Sequence, residues 1–176
     1  MDKRRLNNLL INIGVGNEKA FEEFYNLTSK GIYAFVYPYL KDPYETEDAL
    51  QDIYMLVKDK AHLYKKDTDA RAWLFQLAKN HSLNLVYKKT RENQKAEELV
   101  RGYSEPRQTK WDSTLFLVMQ HTLEEDEYQI VIRYVLMNYK HKEIAVELNM
   151  PLGTVLSKYQ TALLKLRKEL EKKWKT

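Results

Sequence analysis

The side chains of this 176-residue sequence that are best suited to chemistry lie on a helix near the C-terminus, and that chemistry is hydrogen bonding to phosphate groups. A helical projection gathers small hydroxyls and lysines, without a carboxylate, on one face: Thr154, Ser157, Lys158, Thr161, Lys165 and Lys168. Hydroxyl and ammonium groups donate to phosphate oxygens and to base edges in a DNA groove. The face therefore predicts a nucleic-acid contact, and the alternative is an ordinary amphipathic helix with a solvated polar side.

The same projection assigns the other two faces of this helix. The residues expected to pack on the rest of the protein are Val155, Tyr159, Ala162, Leu163, Leu166 and Leu170. The third face is neither core nor cationic and holds Leu156, Gln160, Leu164, Arg167 and Glu171. Leu156 and Leu164 should lie exposed, either as isolated surface leucines or as a contact for a protein partner.

The residues before this helix have the form of a helix-turn-helix. Residues 142–148 read as a short helix, and Asn149 is a residue type that adopts the left-handed conformation at a helix end. Pro151 cannot continue the first helix but suits the start of the second. Ala145 is small where the two helices would cross closely. This arrangement holds the second helix out so that it can enter a major groove.

A second candidate site lies on a helix predicted at residues 43–61. Its start is marked by Asp42, Pro43, Tyr44 and Glu45, which read as the N-cap, a proline at the first helical position and an acid at the third. Its core residues are expected to be Ala49, Leu50, Ile53 and Val57. Another face collects Tyr44, Asp48, Gln51, Asp52, Met55 and Asp59. It is an acidic surface with an apolar centre, and the alternative is a solvated acidic face.

The composition excludes several classes of function. The chain has no cysteine, so it has no disulfide, cysteine nucleophile or thiolate zinc site. The histidines lack ligand spacing, and no phosphate-binding loop or nucleophile motif appears: His62, His81, His121 and His141. We therefore expect no enzyme, no metal site and no cofactor. No apolar run approaches the ~20 residues that a membrane span needs, so we expect a cytoplasmic protein without membrane insertion.

Helical periodicity along the chain predicts an all-α fold of two small domains. Asn17 is a plausible cap for a long early helix, which Pro38 should bend or shorten. Periodicity fails between about residues 92 and 112, which include a glycine and a proline among polar residues. We expect an N-terminal domain at 1–92, a flexible linker at 93–112 and a helix-turn-helix domain at 113–176. Residues 140–176 carry nine Lys or Arg against four Glu, which suits phosphate binding.

Four segments stand in a particular order along the chain: 20–25 (AFEEFY), 42–52 (DPYETEDALQD), 72–80 (AWLFQLAKN), and 131–157, which runs from VIRYV to GTVLS. In this order they resemble the extracytoplasmic-function (ECF) group of sigma factors, which direct bacterial RNA polymerase to promoters. The resemblance covers residues 18–170. It identifies the four segments as the opening helix, the polymerase-binding helix, the helix that reads the −10 element and the domain that reads the −35 element.

The resemblance implies an alternative sigma factor whose partners are core RNA polymerase, promoter DNA and an anti-sigma factor. Polymerase binding is then expected at Asp48, Gln51, Asp52 and Met55, and −35 recognition on the hydroxyl and lysine face of the C-terminal helix. Opening of the −10 element needs backbone cations and a surface or pocket for a captured base. The candidates lie in the polar stretch at 64–69 and the helix that Asp69 can cap: Lys65, Lys66, Arg71, Lys79, Asn80, Tyr87, Lys88 and Lys89. Trp73 is expected in the core.

The sequence departs from the family pattern where it would bind DNA. Only Lys158 and Lys165 precede Arg167 on the recognition helix, where the family has several cations. Lys140 stands where a Ser or Thr cap is usual, which forfeits ~1 kcal/mol of helix capping. Two alternatives stay open: a regulator that uses the helix-turn-helix alone, and a sigma-like polymerase-interaction protein with weak or no −35 binding. The first does not explain the acidic helix or the Trp73 helix.

Limited proteolysis tests the division into domains. Because periodicity fails in the predicted linker, a protease should cut first between Arg91 and Lys110 and release two resistant fragments. Mass spectrometry of the early fragments locates the cut. Preferential cutting inside residues 43–61 would contradict the division.

Overall fold

Helices are the only regular elements in the part of the chain that the computed structural model describes, which is residues 3–66, 68–95 and 113–174. They are α1 (Lys3–Gly14), α2 (Glu18–Leu40), α3 (Pro43–Lys60), a 3₁₀ turn (Ala61–Leu63), α4 (Ala70–Lys95), α5 (Ser113–Thr122), α6 (Glu125–Val131), a π-helical turn (Ile132–Leu136), α7 (His141–Glu147) and α8 (Leu152–Trp174). The predicted all-α class is confirmed.

The two clearest helix starts are capped as the sequence predicts. The Asp42 carboxylate accepts hydrogen bonds of 2.8 Å from the backbone N–H groups of both Tyr44 and Glu45, and Pro43 opens α3. The Asn17 side chain accepts from the backbone N–H of Ala20 at 3.1 Å and starts α2. Each cap pairs backbone donors that the first helical turn leaves without a carbonyl.

Helices α1 to α4 pack into a first bundle. The predicted core residues of α3 are at most 2% exposed: Ala49, Leu50, Ile53 and Val57. Within the same core the hydroxyls of Thr28 and Tyr54 lie 2.6 Å apart, so two buried polar groups pair with each other. Trp73 is half-buried and packs against this core, as expected. The core holds α3 and α4 with their polar faces outward.

Helices α5 to α8 form a second bundle that contains the predicted helix-turn-helix. Helix α7 ends at Glu147, and Asn149 has a φ of 52°, the left-handed conformation expected of it. The backbone N–H of Met150 donates to the carbonyl of Ala145 at 2.9 Å and closes the turn. Helix α8 then begins at Leu152, directly after Pro151. The helix-turn-helix prediction is confirmed.

The predicted linker falls mostly outside the described residues. Helix α4 continues to Lys95, past the expected boundary at residue 92, and 96–112 is not described. The two bundles are nevertheless in contact and share one buried core. The ring centroids of Tyr33 in α2 and Phe116 in α5 lie 5.5 Å apart, and those of Phe75 in α4 and Tyr139 lie 6.0 Å apart. The sequence predicted two bundles and gave no sign of this contact.

Pro38 explains one hydrogen bond between the bundles. Proline has no backbone N–H, so the carbonyl of Ala34, four residues earlier, lacks its helical donor. The Tyr128 hydroxyl in α6 donates to that carbonyl at 2.7 Å. Helix α2 ends two residues after Pro38, at Leu40, followed by Lys41 with a φ of 56°. The helix thus continues two residues past the proline, which leaves an acceptor for the second bundle.

Replacing Tyr128 with Phe should lower the free energy of unfolding by about 1–3 kcal/mol, because the buried Ala34 carbonyl loses its donor. Urea unfolding followed by circular dichroism measures the loss. The matched control is the same substitution in a Pro38→Ala background, where the new backbone N–H can donate to Ala34 and the loss should be smaller. Equal losses in both backgrounds would contradict this role of Pro38.

Candidate nucleic-acid interface

The outward face of α8 is the surface of that helix turned away from α6 and α7. Its exposed residues include Leu156, Ser157, Gln160, Thr161, Leu164 and Lys168. Of the six predicted DNA contacts, three therefore lie on it: Ser157, Thr161 and Lys168. Thr154 is half-buried at the start of the helix. Val155 and Ala162 are fully buried on the opposite side, as expected of the core face.

Lys158 and Lys165 lie on the flank of α8 that contacts α6. The Lys165 ammonium is 2.8 Å from the Glu127 carboxylate and 3.8 Å from that of Glu124. Lys158 lies 3.3 Å from the carboxylate of Asp126. We expected these two lysines to share a DNA-facing surface with the hydroxyls and without acids. This arrangement does not fit that expectation. A projection of α8 alone cannot show that another helix places three acids beside them.

Glu127 is the residue of this cluster that sequence reasoning missed. Its side chain is only 4% exposed. Burial raises the pKa of Glu127, but the hydrogen bonds from Lys165 and from the backbone N–H of Glu124 outweigh burial and hold that pKa below its usual value. Lys165 is thus the counter-ion of a buried carboxylate. The run of Glu125, Asp126 and Glu127 was the available signal, since acids favour a first helical turn.

Three leucines give α8 an apolar outer surface. Leu156 and Leu164 are 41% and 69% exposed, as expected, while Leu163 is 43% exposed and not in the core. The core prediction for Leu163 is therefore wrong. It fails because α8 packs through a narrow stripe centred on Val155 and Ala162, and Leu163 lies at the edge of that stripe.

Helix α4 presents a polar and aromatic surface near the predicted −10 contacts. Lys79, Asn80, Tyr87 and Lys88 are exposed, Tyr87 by 64%. The Asn80 side chain accepts a hydrogen bond from Gln76 at 2.8 Å. Lys89 is exposed too, but its ammonium lies 2.6 Å from the Glu45 carboxylate. Lys79, Lys88 and Lys89 are therefore exposed along α4, and Lys89 is tied to the start of α3.

The loop before α4 is held by short-range hydrogen bonds. The Tyr64 hydroxyl donates to the carbonyl of Thr68 at 2.8 Å, and the Thr68 hydroxyl donates to that of Lys65 at 2.8 Å. Lys65 and Lys66 are exposed on its outer side. The arrangement presents two cations next to the N-terminal end of α4, where backbone donors also favour anions.

Arg71 is not on that accessible surface. It is 2% exposed, and its guanidinium lies 3.0 Å from the Asp69 carboxylate and 2.9 Å from the Glu143 carboxylate of α7. Burial raises the pKa of Asp69, but the hydrogen bonds and charge of Arg71 outweigh burial and hold it below its usual value. The expectation that Arg71 contacts phosphate does not fit this conformation, because the side chain is buried and four of its five N–H groups donate to Asp69, Asn138 and Glu143.

The acidic face of α3, formed by Asp48, Gln51, Asp52 and Met55, is exposed as one continuous surface. Met55 is 65% exposed on this face. The Asp52 carboxylate lies 3.5 Å from the His81 ring of α4, at one edge of the face. An exposed methionine ringed by carboxylates is suited to docking on a basic protein surface with an apolar pocket.

Comparison with known proteins matches two family models to successive parts of the chain. The family model of sigma-70 region 2 matches residues 24–100, and that of sigma-70 region 4 matches residues 121–168. The chain is 25% identical to the ECF RNA polymerase sigma factor RpoE of Cereibacter sphaeroides, over 88% of each protein. It is 23% identical to the ECF RNA polymerase sigma factor SigX of Bacillus subtilis, over 88% of this chain and 85% of that protein.

Two solved structures share the fold. CnrH in complex with the cytosolic domain of CnrY has a TM-score of 0.60 and 16% identity, over 97% of this chain and 98% of that chain. The sigma factor RpoE in complex with the anti-sigma factor NepR from Bartonella quintana has a TM-score of 0.59 and 19% identity, over 87% of this chain and 98% of that chain.

Two lysines of α8 should behave differently when replaced. Lys165→Ala should lower the melting temperature, because the buried Glu127 carboxylate loses its cation. Lys168→Ala should leave the melting temperature within about 1 °C, since it is a surface change. It should flatten the plot of log DNA affinity against log salt by ~0.9, the contribution of one phosphate contact. The assignment of Lys165 would be wrong if Lys165→Ala melted like the unsubstituted protein and flattened the salt plot more than Lys168→Ala does. That result would mean that Lys165 contacts DNA.

Proposed function

This chain belongs to the ECF group of the sigma-70 family, and from that membership we propose how its surfaces engage RNA polymerase and promoter DNA. It is an alternative sigma factor, a subunit that directs promoter-specific transcription initiation. Sigma factors are non-enzymatic regulators of initiation, and no enzyme family is indicated. The observation that carries the function is the order of sigma-70 regions 2 and 4 along one helical chain.

We propose that the acidic face of α3 docks on core polymerase. Charge complementarity orients the encounter between the carboxylates and a basic partner surface. The exposed Met55 then enters an apolar pocket and supplies the buried anchor. Asp48, Gln51 and Asp52 precede it on the same face and supply hydrogen-bond acceptors, so the face combines an apolar anchor with polar neighbours.

The −10 element is engaged by the exposed surface of α4 and the loop before it. Lys65, Lys66, Lys79, Lys88 and Lys89 lie along this surface and would follow the DNA backbone. Asn80 offers a donor and an acceptor to a base edge. Tyr87 supplies an exposed ring on which an unpaired base can stack. Arg71 would join these contacts only after leaving Glu143.

The −35 element is met by the outward face of α8, with Ser157, Thr161 and Lys168 as the polar contacts. Lys158 and Lys165 add less to phosphate attraction than their number suggests, because acids of α6 neutralise them. This favours the second candidate function, a sigma-like factor that works with weak −35 binding. The exposed leucines favour it further, since apolar contact reads little beyond thymine methyl groups.

We also propose an anti-sigma factor as a partner and the cytoplasm as the compartment. Support comes from the solved structure of the similar sigma factor RpoE, which is bound to the anti-sigma factor NepR. Among the described helices none is long and apolar enough to cross a membrane. Core polymerase and promoter DNA, the other partners, are cytoplasmic in bacteria.

Transcription in vitro separates the candidates. Core polymerase is incubated with and without the protein on the promoter of its own operon. A specific transcript that appears only with the protein supports a sigma factor, and its absence contradicts the proposal. Scrambling the −35 sequence should reduce the transcript strongly if α8 reads it, and only slightly if −35 binding is weak.

Docking on polymerase can be tested at the acidic face of α3. Asp52→Lys with Met55→Ala should weaken core-polymerase binding at least tenfold, because one change reverses the charge and the other removes the anchor. Both side chains are exposed, so helicity and melting temperature should change little. Glu22→Lys with Val15→Ala makes the same charge reversal and a matched apolar truncation on exposed positions elsewhere. Equal binding by the two double variants would contradict the assignment.

A further inference from the structure

The proposed contacts with polymerase and DNA lie on α3, α4 and α8, yet α1 touches both ends of the loop before α4. We propose that α1 fixes the shape of this loop and that Asn7 is a positioning residue for the capture of a −10 base. We call the contact the α1 brace, and its residues are Asn7, Gly14, Ala61, Thr68 and Ala70. Its effect on promoter choice rests on the proposed function, whereas the brace itself rests on contacts within the first bundle.

The Asn7 side chain binds the backbone where the loop enters α4. Its Nδ2 donates to the carbonyl of Thr68 at 2.9 Å, and its Oδ1 accepts from the backbone N–H of Ala70 at 3.0 Å. One amide group thus holds the residues on both sides of Asp69. Asparagine suits this position because it carries a donor and an acceptor at this length. Aspartate lacks the donor, and glutamine is one methylene longer.

Both backbone groups depend on Asn7 for a partner. The N–H of Ala70 belongs to the first turn of α4, where no helical carbonyl can accept from it. Ala70 is fully buried, so water is a poor substitute for the Asn7 oxygen. The Thr68 carbonyl accepts a second hydrogen bond from the Tyr64 hydroxyl at 2.8 Å. Asn7 therefore completes a set of hydrogen bonds that the loop begins by itself.

Gly14 brings the same helix against the other end of the loop. A methyl group at Gly14 would lie 3.0 Å from the carbonyl oxygen of Ala61 and 3.1 Å from Cα of His62. These are backbone atoms of the 3₁₀ turn, which cannot rotate away as a side chain can. Gly14 follows Asn7 by two helical turns, so both lie on one face of α1, about 10 Å apart. The helix therefore sets the distance between the start and the end of the loop.

Helix α1 is itself fixed to the first bundle, so it can serve as a rigid support. Its residues Leu6, Leu10 and Ile13 are at most 5% exposed. The Arg5 guanidinium lies 2.7 Å from the Glu23 carboxylate of α2. A loop that an anchored helix holds at both ends has few conformations. Little conformational entropy is then lost when DNA binds the loop.

A loop of fixed shape matters most for the step in which a base leaves the duplex. Unstacking the base is unfavourable, and contacts in the right place must offset it. Without Asn7 the DNA would have to order the loop, which weakens capture of the preferred base most, because only that base uses all of these contacts. The brace should therefore act on base preference in the −10 element. Polymerase binding, which we assign to α3, should not change.

The test compares base preference in holoenzymes formed from core polymerase and saturating full-length protein. The templates are the promoter of its own operon and copies in which each −10 base is replaced in turn. A fluorescent base downstream of the −10 element reports the fraction of open complex. Asn7→Asp is the decisive variant, because it keeps an acceptor for Ala70 and removes the donor to Thr68. Asn8→Asp adds the same charge at the exposed neighbouring position and is the matched control.

The unsubstituted protein and Asn8→Asp should open the natural −10 sequence in preference to the replaced ones. Asn7→Asp should reduce this preference about fivefold, the factor expected for one lost hydrogen bond. Its binding to core polymerase and its melting temperature should change little, because aspartate is as good a helix cap as asparagine. Tyr64→Phe removes the other donor to the Thr68 carbonyl and should change the preference in the same direction.

The brace can also be measured in the free protein. Hydrogen exchange followed by NMR should show that the Ala70 amide exchanges about tenfold faster in Asn7→Ala, because its acceptor is gone. In Asn7→Asp the same amide should stay protected, since a carboxylate oxygen still accepts from it. An unchanged exchange rate of Ala70 in Asn7→Ala would overturn the brace.

Two further results would overturn the effect on promoter choice. One is an unchanged base preference in both Asn7→Asp and Asn7→Ala. The other is an equal loss in Asn7→Asp and Asn8→Asp, which would assign the effect to the added charge. Failure of the proposed function looks different, because then even the unsubstituted holoenzyme opens no promoter. Exchange at Ala70 would still decide whether the brace exists, and its effect on promoter choice would fall with the function.

Discussion

A buried guanidinium group keeps its place only where enough acceptors meet its donors, and Arg71 imposes that constraint on both bundles. Asp69, which also caps α4, supplies one carboxylate from the first bundle. Glu143 supplies the other from α7, and the ring of Tyr139 covers the flat side. The start of α4 and the first helix of the helix-turn-helix are therefore fixed relative to each other. Satisfying this one cation thus adds a polar contact to the apolar core that the bundles share.

The same rule of satisfying buried charge shapes the DNA-facing helix. Glu127 is buried between α6 and α8 and needs a cation, and Lys165 supplies it. A lysine that holds a buried carboxylate is not free to follow a phosphate backbone. The recognition helix thus uses two of its few cations to dock on its own domain. Its outward face keeps hydroxyls, leucines and Lys168, a surface with limited attraction for DNA.

Local sequence signals determined the helices and most of their faces. The caps at Asn17 and Asp42, the left-handed turn at Asn149 and the core face of α3 follow from short-range rules, so the sequence alone predicted them. The acidic face of α3 was predictable for the same reason, because a regular helix sets which residues share a side. The error at Leu163 arose at the edge of a face, where a projection cannot tell how wide the packed stripe is.

The sequence by itself determined the all-α class, the helix-turn-helix and the order of segments that places the chain in the sigma-70 family. Only the tertiary structure decided which charges are available. Arg71, Lys158 and Lys165 look like phosphate contacts in the sequence, yet Glu143 beside Arg71 and the acids beside the two lysines come from helices that are distant in the chain. Coulomb attraction depends on separation in space and on burial, and the spacing of residues along one helix predicts neither quantity.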